Sequence, residues 1–295
     1  MNNIQPVSRG HGWLTVNFVL QVAFGLLAMT ICLPSMQEWP SIFGASQARI
    51  QLTFSGFVAA YGGLQLVYGP LSDRIGRKPV LLLGLVLACA GSLLAALAPD
   101  LDVLILARVL QGAGSAAGMV VGRAMVQDLF SGHERTRMMA LIGMTMGVCP
   151  PLGTVVGGQL HARFGWQANF FLMAGLALVL LLAAWWGAPD ARPQRGAQTN
   201  GWRELYLGYA RLAREPAFLL YVVILATATA TFYTFLGGAP LVLASYGVPP
   251  ERMGWYIMCP PIAYIFGNLL TTRLIRRLGD RRIMNRGQAA TLCGI

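Results

Sequence analysis

Apolar residues in this chain fall into long uncharged blocks joined by short, mostly basic connectors. Eight stretches are nearly or wholly free of Asp, Glu, Lys and Arg: Leu14–Met36, Ile50–Pro70, Val80–Ala98, Val103–Gly122, Met138–Leu160, Phe164–Ala188, Pro216–Gly247 and Met253–Thr272. A helix needs about 20 apolar residues to cross the hydrocarbon core of a bilayer. Only spanning helices or closed barrels satisfy every backbone group there, and barrel strands would read as short alternating segments. The pattern therefore predicts an all-α membrane protein with eight complete transmembrane helices. A ninth apolar stretch begins near Ile283 and reaches Ile295, too short to span. The chain is thus expected to end inside a helix, as a fragment or an early-terminated product would.

Most connectors are short, but residues 189–215 are polar and Arg-rich, with Pro193, Gly196, Gln198, Thr199 and Asn200. This stretch reads as a cytosolic linker carrying an interfacial helix around Trp202–Leu212. It divides a six-helix bundle (residues 1–188) from an incomplete second bundle (residues 216–295). A faint echo supports a repeated unit: Leu71–Lys78 after the second helix resembles Leu274–Arg281 after the eighth. Transporters are often built from such repeats.

Composition agrees with this pattern. Of 295 residues, 56% are hydrophobic and only 11% charged, with a mean hydropathy of +0.58. A soluble domain carries roughly 25% charged residues because its surface faces water. The formal net charge of +11 would suggest nucleic acid on a soluble protein, but its distribution says otherwise. Arg9, Arg74, Arg77, Lys78, Arg135, Arg137 and the linker arginines fall in one set of loops; Arg49, Arg163 and Arg252 fall in the other. That asymmetry places the N-terminus and the basic loops in the cytosol. The five cysteines lie in apolar stretches without metal-ligand spacing and read as packing residues, and His133 and His161 read as loop residues. No metal, cofactor or nucleic-acid partner is implied. No nucleophile–base set appears in any span, so a membrane enzyme is the least supported class.

The strongest local signal is the connector from Gly69 to Leu81. Gly69-Pro70 is expected to stop the second helix, Gly76 to permit a tight bend, and Pro79 to open the third helix. Asp73 among three cations should pair with one of them or cap a helix. Arg108 lies roughly 9 Å inside the fourth helix at 1.5 Å per residue. A cation at that depth costs at least ~2.5–3.5 kcal/mol and usually faces a cavity or a partner. Gln111 can share its network; the alternative is that Arg108 snorkels to the outer interface. Gly114, Gly118 and Gly122 form one small-residue stripe, and Gly143/Gly147 and Gly153/Gly157 form others, which let helix backbones approach. Pro150-Pro151 should bend the fifth helix. Candidate cavity residues are Asn17, Gln21, Met29, Thr30, Tyr61, Gln65, Met144, Met146, Tyr233 and Asn268, since Met and amphipathic aromatics suit an adaptable apolar pocket.

The connector matches the loop signature G-x-L-x-D-R-x-G-R-K of the major facilitator superfamily at every position. Leu104–Gly114, with Arg108, Gln111, Gly112 and Gly114, resembles that family's helix-four signature R-x-x-Q-G-x-G. Gly143–Gly158, with Gly147, Pro150, Pro151, Gly153 and Gly157, resembles the helix-five signature of drug/proton antiporters. With Leu33-Pro34 and Arg123–Phe130, the chain is most similar to the bicyclomycin/chloramphenicol-resistance (Bcr/CflA) type. Two departures stand out: Thr154 occupies the place of the second signature proline, and Met29–Pro34 lacks the carboxylate that several relatives carry there.

The resemblance implies twelve helices in two bundles, alternating access, and proton-driven export of small drug-like molecules from a bacterial inner membrane, by a monomer. It implies a charge cluster of Asp73, Arg77 and Asp128, and a proton-coupling role for Arg108. A metabolite facilitator on the same fold, or an inactive truncated product, is the competing reading.

Overall fold

A computed structural model describes residues 11–189 and 202–260, with residues 262, 263, 266, 267, 270, 274, 287 and 289 beyond them. Its elements are α1 (His11–Thr30), a 3₁₀ turn (Leu33–Gln37), α2 (Trp39–Phe43), α3 (Gln47–Ile75), α4 (Arg77–Ala96), α5 (Leu101–Leu129), α6 (Gly132–Phe164), α7 (Gln167–Gly187), α8 (Trp202–Leu212), α9 (Pro216–Ser245) and α10 (Pro250–Ile257). Seven helical segments among the described residues are long and apolar enough to cross a membrane. The eighth apolar stretch begins as α10 and turns at Met258; part of it lies outside the described residues, as does the ninth.

Local chemistry sets the helix ends. Ser46 accepts the Arg49 amide (3.4 Å) and Asp100 accepts the Val103 amide (2.9 Å), so each occupies the N-cap that short polar side chains favour. Gly76 adopts φ +103°, which lets α3 reverse into α4 across one residue. Gly165, at φ +82°, opens the two-residue turn between α6 and α7.

Helix α5 sits at the centre of the first six spans, packed most extensively on α3 and α4 and also on α1; α4 in turn packs on α7, and α1 on α6. Outward faces carry exposed Leu, Val, Phe and Trp, including Trp185 and Trp186 near the end of α7. Large apolar side chains facing outward on spanning helices suit lipid, and tryptophan near a helix end suits the interface.

Helices α9 and α10 meet the first six at the end marked by the Arg49–Asp102 ion pair (2.6 Å). There Gln51 donates to the Gly237 carbonyl (3.1 Å), Gln159 donates to the Glu251 carbonyl (3.3 Å), and the Gln37 amide meets the Met253 sulfur. Toward the end that holds Asp73, the first turns of α9, from Phe218 to Leu225, are exposed.

Several expectations are corrected. The second helix does not stop at Gly69-Pro70 but continues to Ile75 with Pro70 inside it. Pro70 cannot donate to the carbonyl four residues back, that of Leu66. The Tyr209 hydroxyl of α8 donates to it instead, at 3.1 Å. The linker helix thus supplies the hydrogen bond that the proline withholds. Tyr209→Phe should free α8 from α3 at a cost of about 1 kcal/mol, read as faster protease cleavage of the linker with no change in the melting of the bundle.

The first span is also not one helix. It breaks after Thr30, because Pro34 has no N–H to offer the Thr30 carbonyl, and resumes as the 3₁₀ turn. His161 is not a loop residue: it lies buried in the last turn of α6, 3.2 Å from Glu38. His133 is in the exposed first turn of the same helix.

Candidate functional site

Arg108 is fully buried in α5, so it does not reach an interface. Its Nη1 donates to the Ala28 carbonyl (2.8 Å) and to Gln111 Oε1 (2.5 Å), and its Nη2 to the Met29 carbonyl (3.4 Å). Ala28 and Met29 belong to the last turn of α1, whose carbonyls have no helical donors of their own. That helix end also carries the negative pole of the macrodipole, worth roughly half an elementary charge. A guanidinium from a different helix therefore caps α1.

Two aromatic faces complete the enclosure: the guanidinium carbon lies 4.3 Å from the Phe57 ring centre and 5.8 Å from that of Phe170. A cation over an aromatic face is attracted by the ring quadrupole, the more so without water. None of the ion pairs among the described residues involves Arg108. Dipole, carbonyls and rings stand in for a counter-ion. The network continues from Gln111 Nε2 to Ser92 Oγ (2.8 Å) and from Ser92 Oγ to the Ala88 carbonyl (2.7 Å), linking α5 to α4.

A second cluster closes the other end of α5. Arg77 Nη1 lies 2.5 Å from Asp73 Oδ1 and donates to Ser72 Oγ at 2.7 Å, and its Nε donates to Asp128 Oδ2 at 3.0 Å. Arg77 is buried while Asp73 is about half exposed. One cation thus ties the end of α3, the start of α4 and the end of α5, each by a charge-assisted hydrogen bond.

Between the two helix sets lies a cavity of about 420 Å³, lined by Leu26 and Met29 of α1, Met146, Gly147 and Pro150 of α6, Leu225, Thr229, Phe232 and Tyr233 of α9, and Pro260. The α9 residues fall at i, i+4, i+7 and i+8, a single helical face. Pro150 and Pro151 cannot donate to the carbonyls of Met146 and Gly147, which leaves neutral acceptors in the α6 wall.

Of the residues read from the sequence as cavity-lining, Met29, Met146 and Tyr233 line it. Met144 is 58% exposed on the outer face of α6. Two residues apart on a helix, Met144 and Met146 point nearly opposite ways, so only one can face the cavity. Gln21 is buried and donates to Asn17 and to the Leu180 carbonyl, both at 3.3 Å. Thr30 returns its hydroxyl to the Leu26 carbonyl (3.0 Å). Gln65 is half-buried on α3 and Tyr61 is buried against Phe57, neither of them in the cavity wall. Asn268 lies outside the described residues.

Three of the motif glycines are helix seams. A Cβ on Gly112 would strike the Phe57 carbonyl, one on Gly153 the Thr30 hydroxyl, and one on Gly157 the Ile31 carbonyl. Gly69 meets only a Val120 methyl at an ordinary 3.7 Å, and Gly143 meets nothing. Gly157→Val should therefore cost about 1–3 kcal/mol, measurable as a lower melting temperature in detergent, with Gly143→Ala unchanged.

Sequence reasoning missed Ser92, Phe57 and Phe170. They come from three other helices, and no spacing along the chain relates them to Arg108. It also passed over Arg123, although an arginine six residues inside the end of a spanning helix is itself a signal.

Small-residue seams, a buried cation held by helix ends, and a cavity where two sets of spanning helices meet define a multi-pass membrane carrier. The family model described as Major Facilitator Superfamily matches residues 17–295, and the chain belongs to that family of transporters. It is 30% identical to the chloramphenicol resistance protein of Pseudomonas aeruginosa, over 97% of this chain and 69% of that one. It is 32% identical to multidrug resistance protein D of Escherichia coli (strain K12), over 80% of this chain and 60% of that one. A solved structure of a bacterial homolog to the human lysosomal transporter Spinster, inward-facing and unoccupied, superposes with a TM-score of 0.74 at 16% identity, covering 92% of this chain and 64% of that one. A D-xylose-proton symporter gives 0.66 at 14% identity, covering 91% and 70%. Both structural likenesses concern the fold.

Proposed function

We propose that the protein exports small amphipathic molecules across a bacterial inner membrane by alternating access, as a monomer with its N-terminus in the cytosol. The observation that carries this reading is the apolar cavity at the junction of the two helix sets, in a chain whose family relatives are named for drug resistance. With the basic connectors on the cytosolic side, the described contacts between the sets lie at the outer end, and the cavity belongs to an inward-facing state. Asp73, Arg77 and Asp128 would latch the cytosolic end as the helices rock, and Arg108 with Gln111 would couple the α1 end to α4.

Proton exchange is the proposed driving force. No Asp or Glu occupies the middle of a described span, so Asp73 and Asp128, both held by Arg77, are the acidic groups nearest the path.

The test is drug susceptibility and dye efflux in cells expressing the chain, with and without an uncoupler. Lower intracellular drug that rises when the proton gradient is collapsed is the expected result; efflux that ignores the uncoupler would rule out proton coupling. Asp73→Asn with Asp128→Asn should slow efflux about 5–150-fold, the range of typical coupling energies, without preventing membrane insertion.

A further inference from the structure

Arg123, which the transport reading above leaves unused, is a half-buried cation on α5, roughly 9 Å inside that helix's Asp128 end at 1.5 Å per residue. Its Nη2 contacts the sulfur of Met146 at 3.3 Å, and Met146 lines the central cavity. Among the described residues no carboxylate forms an ion pair with it. Asp128 at the end of α5 and Asp73 in the last turn of α3 are engaged by Arg77. Glu134 opens α6 and Glu215 precedes α9, so they stand roughly 18 Å and 15 Å along those helices from the lining residues Met146 and Leu225. Glu38, Asp100, Asp102 and Glu251 lie at the opposite end of the bundle.

A second, independent observation lies beside it. The Tyr61 hydroxyl is buried without a hydrogen-bond partner, within electrostatic range of both Arg123 and Tyr233, and Tyr233 itself is in the cavity wall. An orphaned buried hydroxyl costs free energy unless something fills the space beside it.

We infer that Arg123, in contact with the lining residue Met146, and the buried Tyr61 hydroxyl together form a polar recess that borders the cavity beside Tyr233 and selects amphipathic substrates that carry an anionic or strongly negatively polarised acceptor group, rejecting lipophilic cations. The other side chains around the cavity are apolar or, at Thr229, a hydroxyl already returned to its own helix (2.7 Å to the Leu225 carbonyl). The Met146 and Gly147 carbonyls accept hydrogen bonds but carry no formal charge. Among the described residues the lining itself carries no charge, and Arg123 is a cation in direct contact with it. Beside an apolar cavity that cation acts at a low effective dielectric, where a single charge discriminates strongly by sign. An acceptor on the substrate would satisfy Tyr61 and Arg123 together.

This inference deepens the export reading, and its test is made to fail separately from it. Tetraphenylborate and tetraphenylphosphonium have the same size and shape and opposite charge. Their binding to the purified full chain is measured by equilibrium dialysis, each corrected for partition into protein-free micelles. The unaltered chain should bind the anion about tenfold or more tightly than the cation, a preference that the sign of one nearby charge supplies at low dielectric. Arg123→Gln should collapse that ratio toward one, and Arg123→Lys should keep most of it. Equal binding of the two probes by the unaltered chain, or a ratio that Arg123→Gln leaves unchanged in a protein of unaltered melting temperature, would overturn the assignment. Should Arg123→Gln not fold, the ratios for the unaltered chain and Arg123→Lys still decide it. Binding with the expected sign in a chain that effluxes nothing from cells would support the selectivity and count against export alone.

Discussion

Replacing Arg108 by methionine is expected to abolish transport and to destabilise the bundle, whereas lysine should restore the fold but not the transport. Methionine leaves the Ala28 and Met29 carbonyls without donors at the end of α1 and strips Gln111 Oε1 of its donor. Each buried polar group left unsatisfied costs about 1–3 kcal/mol, so a loss near 3 kcal/mol is expected after local relaxation. The melting temperature in detergent would report it. Lysine keeps the charge against the α1 dipole and over Phe57, but as a point donor it cannot hold two carbonyls and Gln111 in one plane. If the fork geometry couples movement of the α1 end to α5 and α4, the initial rate with lysine falls on the order of 100-fold, toward the upper range of coupling free energies. A lysine variant that folds and transports normally would reduce Arg108 to a structural cap.

An equally large effect is expected from Gly114→Val, which should prevent the bundle from forming. A Cβ at Gly114 would fall on the Ala88 amide nitrogen and the Gly84 carbonyl, and a Cβ at Gly84 would fall on Ala117. These are backbone atoms and one Cβ fixed directly to a backbone, so no side chain can swing aside. The only relief is separation of α4 from α5, which also pulls Ser92 from Gln111, 2.8 Å away. The overpacking penalty of ~1–3 kcal/mol is therefore a lower bound here. Aggregation or early elution in size-exclusion chromatography is the expected readout. Gly63→Val, where a Cβ meets nothing within 4 Å, should elute as the unaltered protein does.

Where the chain enters and leaves the membrane was legible because lipid imposes one rule on every residue of a span. Blocks of about 20 uncharged residues announce helices whatever they pack against. The turn at Gly76 was legible too, since a positive φ in a one-residue reversal needs glycine, as was pairing of Asp73 with one of the cations that follow it in the same connector.

Other features were not. That α3 would run through Pro70 depends on Tyr209, far along the chain, reaching the Leu66 carbonyl. That the carbonyls at the end of α1 would be capped by Arg108 depends on two helices crossing at that level. Which of two neighbouring methionines lines the cavity depends on the rotation of α6 about its own axis, which its seam glycines against α1 set.

The amino-acid sequence by itself determined that this is a helical membrane protein with basic connectors, of a family it could be matched to, carrying an arginine inside a span. Those properties arise from transfer of each residue between water and lipid and from local backbone geometry, which act one segment at a time. Only the tertiary structure decided what stabilises that arginine, which polar groups remain without partners, and which side chains enclose the cavity. Contacts of those kinds require atoms from three or four helices at one depth, and no periodicity along a single chain encodes that.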